Sequence, residues 1–326
     1  MRDHIAASVI IPAYNAEAFV ADAIRSAQRQ TEKWIEILVV DDGSTDATAE
    51  IVTAMAEDDH RVRLLRQPVN RGPSAARNRA LDAAAGRWIV LLDADDTMEP
   101  VRVERLIALG EVHGADFVAD NLMRQALDTK LPLGLFFPAD MLALGRPMAM
   151  AEYMAHERLG QDRPPIGFIQ PVMRRAFLER HGIRYPETIG CGEDSFFVGV
   201  GLAHGAVLWT TGEAYYRYSV RTNSLSMTHN PEVLAGLERQ TRQLIEAVGG
   251  LADPVSLRLM RERADGLGRL CAYRRFTHAL KTRRYGKAAL LAIGSVSPPD
   301  MIRHLSATIM RRLAGPAGQA DSRAAV

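Results

Sequence analysis

Short runs of β-branched and other apolar residues alternate with longer stretches in which apolar positions recur every three or four residues, and this alternation governs the first hundred positions or so of the chain. The runs at 9–11, 35–40, 62–65 and 88–92 predict strands. The second and fourth are apolar at almost every position, as strands covered on both faces are. The stretches between them predict helices at about 17–30, 46–57 and 74–85. The last two open at Gly43-Ser-Thr-Asp46 and Gly72-Pro-Ser74, which supply capping residues. Strands alternating with helices fold as βαβ units, so the expected class is α/β: a Rossmann-like, mostly parallel sheet with flanking helices. A further helix is predicted at about 100–113, after Glu99-Pro100, and a strand at 116–119.

The pattern then weakens. Residues 124–150 mix Leu, Met, Gly and Pro without a clear period and are expected to form a variable excursion, a lid or an acceptor-side insertion. Order returns with a strand expected over 166–173 and a helix at about 174–181 that Gly182 ends. A short helix is expected from Gly192-Glu-Asp194 to about 203, and strands near 206–209 and 214–219. The region 231–314 reads as mostly helical, and 315–326, small and polar, as a disordered tail. The predicted organisation is thus an α/β domain over 1–230, a basic helical region over 231–314 and a tail over 315–326.

Composition narrows the class. Apolar residues make up 47% of the chain and charged residues 24%, which excludes a largely disordered or fibrous protein. Two cysteines, Cys191 and Cys271, make no disulfide framework and suit a reducing compartment. An apolar strand-like run begins at Ser8, too early to leave room for the parts of a signal peptide. The best apolar stretch elsewhere, 288–294, is far short of a membrane span. A cytoplasmic location is expected, either soluble or peripheral on the inner face of the membrane.

The formal charge of +1 conceals an asymmetry, because 258–312 carries 13 Lys and Arg against 3 Asp and Glu. Arg274, Arg275, Lys281, Arg283, Arg284 and Lys287 are interleaved with Tyr273, Phe276, Leu280 and Tyr285. Such a stretch can lie on an anionic membrane surface, or cap the acidic body or another subunit. No nucleic-acid recognition motif accompanies the charge, so a nucleic-acid partner is not expected.

In an open parallel sheet, ligands sit at the carboxyl ends of the strands. Here the strand ends carry Pro12-Ala-Tyr-Asn15, Asp41-Asp-Gly-Ser-Thr-Asp46, Asn70-Arg-Gly-Pro-Ser-Ala-Ala-Arg-Asn78 and Asp93-Ala-Asp-Asp96. Neither the dinucleotide G-x-G-x-x-G nor the phosphate loop G-x-x-x-x-G-K-[ST] is present, which removes those two readings. Asp93, Asp95 and Asp96 would repel one another unless a cation or many donors compensate. A hard divalent ion, Mn²⁺ or Mg²⁺, shared with substrate phosphates is the natural partner, and an acidic surface turn is the plainer reading. Asp41 and Asp42 can cap the next helix or accept from a nucleobase or ribose, and Tyr14 can pack on a base. Arg71 and Arg77 are either solvated helix charges or groups that approach a base or diphosphate. Glu193 and Asp194 open a helix, so they are N-terminal caps or they include a general base for a hydroxyl. Cys191 has no histidine near it in sequence and is not expected to be a nucleophile.

These segments, in this order and at these spacings, resemble the inverting family 2 glycosyltransferases of the GT-A fold. The likeness covers 8–226. The resemblance implies that Pro12, Tyr14, Asn15, Asp41, Asp42, Arg77, Asp93 and Ala94 bind a nucleotide sugar, with Pro12, Tyr14 and Asp42 at the uridine. It also implies that Asp93 and Asp95 take the ribose and the metal, and that Asp194, beside Glu193, is the base. Phe117-Val-Ala-Asp-Asn121, residues 166–182 and Asn223-Ser-Leu-Ser226 are similar to a subgroup of succinoglycan-type exopolysaccharide glucosyltransferases. That likeness implies UDP-glucose as donor and a polyprenyl-diphosphate-linked oligosaccharide as acceptor.

Two departures stand out. Many members carry a metal-binding His after a Tyr-Arg pair, where Tyr216-Arg-Tyr-Ser219 has Ser219; His229 is the alternative ligand. The chain also lacks Gln-x-x-Arg-Trp, which favours a single, non-processive transfer. One base without a second carboxylate nucleophile predicts inversion. A sugar-1-phosphate nucleotidyltransferase would need a Gly-rich basic loop after the first strand, which is absent. A non-catalytic nucleotide-sugar-binding or assembly protein is the remaining alternative.

Overall fold

The computed structural model describes residues 5–158, 163–220 and 230–282. His229, Asn223-Ser-Leu-Ser226, residues 283–314 of the basic region and the 315–326 tail lie outside the described residues.

The four predicted N-terminal strands form: β1 (Ala7–Ala13), β2 (Ile35–Asp41), β3 (Val62–Arg66) and β4 (Trp88–Leu91). They run parallel, with β1 between β2 and β4. β2 and β4 are buried at every position, because the helices between the strands cover both faces. Those helices are α1 (Val20–Gln28), α2 (Thr48–Asp58) and α3 (Pro73–Ala83), followed by α4 (Arg102–His113). α1 turns Val20, Ala23, Ile24 and Ala27 inward, the spacing of one helix face. Glu36, a buried charge near the start of β2, is satisfied by Ser8 Oγ at 2.6 Å, the Ala85 N–H at 2.6 Å and Arg63 Nη1 at 2.9 Å.

Past α4 the structure corrects the prediction in two places and supplies a strand direction that the prediction left open. The expected excursion at 124–150 holds regular elements. β7 (Leu122–Ala126) and β8 (Pro132–Leu135) form an antiparallel hairpin with an irregular register at Arg124/Gln125, and α5 (Ala139–Leu142) follows. That irregularity, with Pro132 and Gly134 in β8, is why no period-two pattern survives in the sequence. With β5 (Thr97–Met98) and β11 (Tyr216–Val220), the hairpin makes a second sheet in the order β5-β11-β7-β8. Second, 166–173 is not one strand. Ile166–Phe168 is a 3-10 turn, and only β9 (Val172–Arg174) pairs, because the Gly167 N–H is taken by Glu157 and Pro171 has no N–H to give. The direction left open is that of β9, which runs antiparallel to both neighbours, β4 and β6 (Phe117–Ala119). The main sheet therefore reads β10-β6-β9-β4-β1-β2-β3, with β10 (Leu208–Thr210) at its edge.

α6 (Met150–His156), α7 (Arg175–Arg180), α8 (Glu193–Ala203), α9 (Pro231–Val248) and α10 (Pro254–Lys281) complete the described elements. Asn230 and Asp253 cap α9 and α10 with side-chain oxygens, each ahead of a proline in the first turn. Both helices pack on the body, since Leu244, Val248, Leu259 and Met260 belong to the same core cluster as the sheet. Among the described residues no helix is long and apolar enough to cross a membrane.

Candidate active site

The strand-end clusters converge on one rim, and most of their polar groups are occupied in holding loops. Asp42 is buried. Its Oδ1 accepts from Gln67 Nε2 at 2.6 Å and the Arg71 N–H at 2.9 Å, and its Oδ2 from the Gly72 N–H at 2.7 Å. Asp41, also buried, accepts from the Ser44 N–H at 3.1 Å and lies 3.6 Å from Arg66. Asp46 rather than Asp41 or Asp42 serves the start of α2, accepting from Thr48 N–H at 3.0 Å. Asn15, at φ 46°, links β1 to the same loop by accepting from the Thr45 N–H at 2.9 Å while its own N–H donates to Ser44 Oγ at 3.0 Å. Tyr14 beside it is 49% exposed, so its ring is open to a ligand; Pro12 is partly exposed. Arg71 turns to the surface and pairs with Glu187 at 2.6 Å.

The acidic turn after β4 divides into unlike carboxylates. Asp96 is buried and accepts from the Ser219 N–H at 2.6 Å and from Tyr216 Oη at 2.8 Å. Burial, with the charges of Asp95 and Asp93 added, pushes its carboxyl well above the usual range. Tyr216 also accepts from the Asp93 N–H at 3.2 Å, and its ring lies 4.9 Å from the guanidinium of Arg102, which forms a buried pair with Asp120 at 3.0 Å. Asp93 and Asp95 are partly exposed, and Ala94 between them is buried. Ser219 is buried and accepts from Gln125 Nε2 at 3.1 Å, so its hydroxyl is committed away from the acidic turn. Among the described residues no group of three or more His, Cys, Asp or Glu is arranged to hold a metal. A pair of carboxylates that leaves the other positions to water and substrate phosphates nevertheless fits Mg²⁺ or Mn²⁺ chemistry, and the crowding felt at Asp96 is the charge such an ion would relieve.

Arg77 joins this turn to the far side of the cleft. Its guanidinium is buried. Nη2 lies 2.9 Å from Asp93 Oδ1, and Nη1 lies 3.0 Å from Glu193 Oε1 and 3.3 Å from Asp194 Oδ1. Burial disfavours its charge, but Asp194, Asp93 and Glu193 outweigh that and hold it firmly protonated. Tyr185 packs beneath it at 5.2 Å and stacks on Phe197 at 4.1 Å. Gln170 Nε2 adds a donor to Asp93 Oδ2 at 3.3 Å.

Asp194 is strongly altered by its surroundings. Burial, with the charges of Glu193 and Asp93 added, lifts its carboxyl to about 7 against the pull of Arg77 and a hydrogen bond with Tyr185. Its Oδ1 is buried and makes no hydrogen bond among the described residues, its near contact being the ion pair with Arg77 Nη1 at 3.3 Å. An acceptor oxygen of this kind, titrating near neutrality, is suited to take a proton from a hydroxyl. Cys191 gives 3.7 Å to the Val233 carbonyl, and burial pushes its thiol up, the opposite of an activated nucleophile.

Comparison with known proteins agrees with this geometry. The family model "Glycosyl transferase family 2" matches residues 8–137. The chain is 33% identical over 308 residues to the succinoglycan biosynthesis protein ExoO of Rhizobium meliloti, covering 93% of this chain and 85% of that one. It is 36% identical to succinoglycan biosynthesis protein ExoU of the same organism, covering 73% and 68%. This chain belongs to the family 2 glycosyltransferases. Among solved structures it is similar to the mannosyltransferase PcManGT of Pyrobaculum calidifontis in complex with GDP-Man and Mn²⁺ (TM-score 0.60, 20% identity, 98% of this chain and 85% of that one). S. aureus TarS 1-349 in complex with UDP-GlcNAc is also similar (TM-score 0.58, 18% identity, 88% and 90%). Both likenesses support the GT-A fold.

For this glycosyltransferase, sequence reasoning found both acidic clusters and left Arg77 open between two roles. The structure gives Arg77 neither a solvated place nor a free face: it bridges carboxylates from the turn after β4 and from the start of α8. Tyr185, Gln170 and Tyr216 were missed as site residues. The only signal for them is their place, beside Gly182, before β9 and in β11 respectively, and no residue type there is diagnostic.

Proposed function

We propose that this glycosyltransferase moves one glucose from UDP-glucose to a hydroxyl of a polyprenyl-diphosphate-linked oligosaccharide during exopolysaccharide assembly, inverting the anomeric carbon. The observation that carries the chemical part is Asp194, a half-buried carboxylate near neutrality whose Oδ1 makes no hydrogen bond and is ion-paired with Arg77, set across that guanidinium from Asp93. Asp194 accepts the proton of the attacking hydroxyl while Arg77, by holding Asp93 and Asp194 to one guanidinium, fixes base and donor relative to each other. Tyr14 offers its ring to the nucleobase, and the loops pinned by Asp41, Asp42 and Asn15 shape the nucleoside end. Asp93 and Asp95 would hold a divalent cation, which when bound supplies a Lewis acid for charge on the departing diphosphate. This reading gives Asp194 the role of base and no carboxylate the role of nucleophile, so attack by the acceptor in a single displacement inverts the anomeric carbon.

The donor and pathway rest on likeness. Two relatives are named for succinoglycan biosynthesis, and nucleotide sugars occupy the related folds. A lipid-borne acceptor suits the exposed cations of α10, among them Arg258, Arg261, Arg269, Arg275 and Lys281, which can rest on an anionic inner-membrane surface. The test is thermal-shift titration with UDP-glucose, UDP-galactose and GDP-mannose, each with and without Mn²⁺. A metal-dependent rise with UDP-glucose, of the size mass action gives and lost in Asp95→Asn, is the expected result. A larger rise with another nucleotide sugar would reassign the donor, and no rise with any would remove the donor site.

A further inference from the structure

Among its described residues, the basic C-terminal region contains a cation turned away from solvent. Arg263 of α10 is buried beneath the first turn of α8, where its Nη2 lies 2.7 Å from Glu157 Oε2 and its Nε donates to the Glu157 carbonyl at 3.0 Å. Its Nη1 donates to Gln240 Oε1 at 3.1 Å and to Thr241 Oγ1, both on α9. Glu157, at the end of α6, is itself shared: Oε1 accepts from the Gly167 N–H at 2.6 Å and Oε2 from Ser195 Oγ at 3.0 Å. Ser195 is the neighbour of Asp194. The chain of contacts therefore runs from α10 through Glu157 to the residue that follows the base.

Backbone packing closes the same grip. Gly192, in the left-handed region at φ 77°, leaves no room for a side chain, since a Cβ there would lie 2.9 Å from Leu237 Cδ2 of α9. A Cβ on Gly167 would stand 2.8 Å from Ser195 Cβ, and one on Gly199 2.9 Å from Leu244. The turn that presents Glu193 and Asp194 is thus backed by α9 and by the Glu157–Arg263 pair, which Gln240 and Thr241 tie to α9. Such a buried pair adds little net stability over apolar packing, and its directional bonds fix geometry instead.

We infer that Arg263 is a positioning residue for the transfer reaction: through Glu157 and Ser195 it sets where Asp194 stands, so the two C-terminal helices are part of the catalytic apparatus and not only a surface appendage. The inference rests on Asp194 being the base. It implies that a one-residue loss on α10 or beneath α8 slows chemistry while leaving the donor site, built from the strand ends, as it was.

The experiment measures UDP release from UDP-glucose with water as the acceptor, on the full chain with Mn²⁺, for the wild type, Arg263→Lys and Ser195→Ala. The expected result is a fall in kcat of about 10–100-fold for Arg263→Lys and about 3–10-fold for Ser195→Ala. KM for UDP-glucose and the calorimetric Kd for UDP should stay within about twofold of wild type. Folded variants whose kcat stays within about twofold of wild type, or whose KM rises in step with the loss, would overturn it and leave a purely structural pair. Should Arg263→Lys fail to fold, Ser195→Ala, which deletes one oxygen, decides alone. A wild type that releases no UDP overturns the proposed UDP-glucose chemistry and this inference together, whereas active wild type with unaffected variants overturns this inference only.

Discussion

The two halves of the cleft are built by different means. At the nucleoside end of the donor side the polar loop residues are held by neighbouring strand ends: Asp42 by Gln67, Arg71 and Gly72, Asp41 by Ser44, and Asn15 by Ser44 and Thr45, all at the ends of adjacent parallel strands. On the base side, Gly192, Glu193 and Asp194 are held by residues far off in the chain, with Arg77 in front and Leu237, Gln240 and, through Glu157, Arg263 behind. The first arrangement is a property of the sheet and tolerates changes elsewhere. The second is a property of the whole fold, and distant substitutions should reach it.

Four measurements would break or sharpen that contrast. Asp194→Asn should lower turnover by about 10²–10⁴-fold while UDP affinity measured by calorimetry stays near wild type. Equal losses in both would mean that base and donor sites are one unit. Asp42→Ala should do the reverse in kind. It strips three donors of their acceptor and should cost about 2–3 kcal/mol of stability in urea unfolding, with loosened UDP binding and a smaller effect on the chemical step.

The pH profile should separate the sides again. Asp194 titrates at about 7 when folded, against the ordinary 3.8, and only its ionised form accepts a proton. The rate at saturating donor should therefore rise tenfold per pH unit below about 7 and level off above it. Stability follows the opposite sign, since the folded state holds this proton more tightly: Asp194's contribution is complete below about pH 4 and is lost as pH rises to about 7. A rate profile that is flat from pH 5 to 8 would exclude Asp194 as base. The smallest effect is expected at Tyr14, where Tyr14→Ala should weaken UDP binding by about 3–10-fold, the value of one aromatic contact, without changing kcat.

The same contrast explains what could be read in advance. The N-terminal strands, their helices and the polar clusters at their ends were legible because each is a local pattern: an apolar run, a capping sequence, a polar turn. Asp95 and Asp194 stood out for that reason. Arg77 did not, because its burial depends on Glu193 and Asp194, more than a hundred residues on, folding back over α3. Arg263 was counted with the basic stretch around it, since nothing in Arg-Glu-Arg-Ala distinguishes the one inward-facing arginine from its exposed neighbour Arg261. The run at 166–173 looked like a strand by apolarity, yet Gly167 is claimed by Glu157, a partner that only the tertiary fold supplies.

The reversed strand β9 has an architectural consequence. Because β6 and β4 point one way and β9 the other, the chain leaves the main sheet after Ala119 and re-enters it at Val172 on the same rim, the rim that carries Asp93. The described part of the stretch between carries the β7–β8 hairpin, α5 and α6, so it departs from and returns to one edge of the cleft. It is woven into the body and not hung from it, because β7 pairs with β11 and Phe137, Leu142, Tyr153 and Met154 are buried in the same core as the sheet. Gln170, Asp120 and Glu157 therefore bring to the site the rigidity of a packed segment.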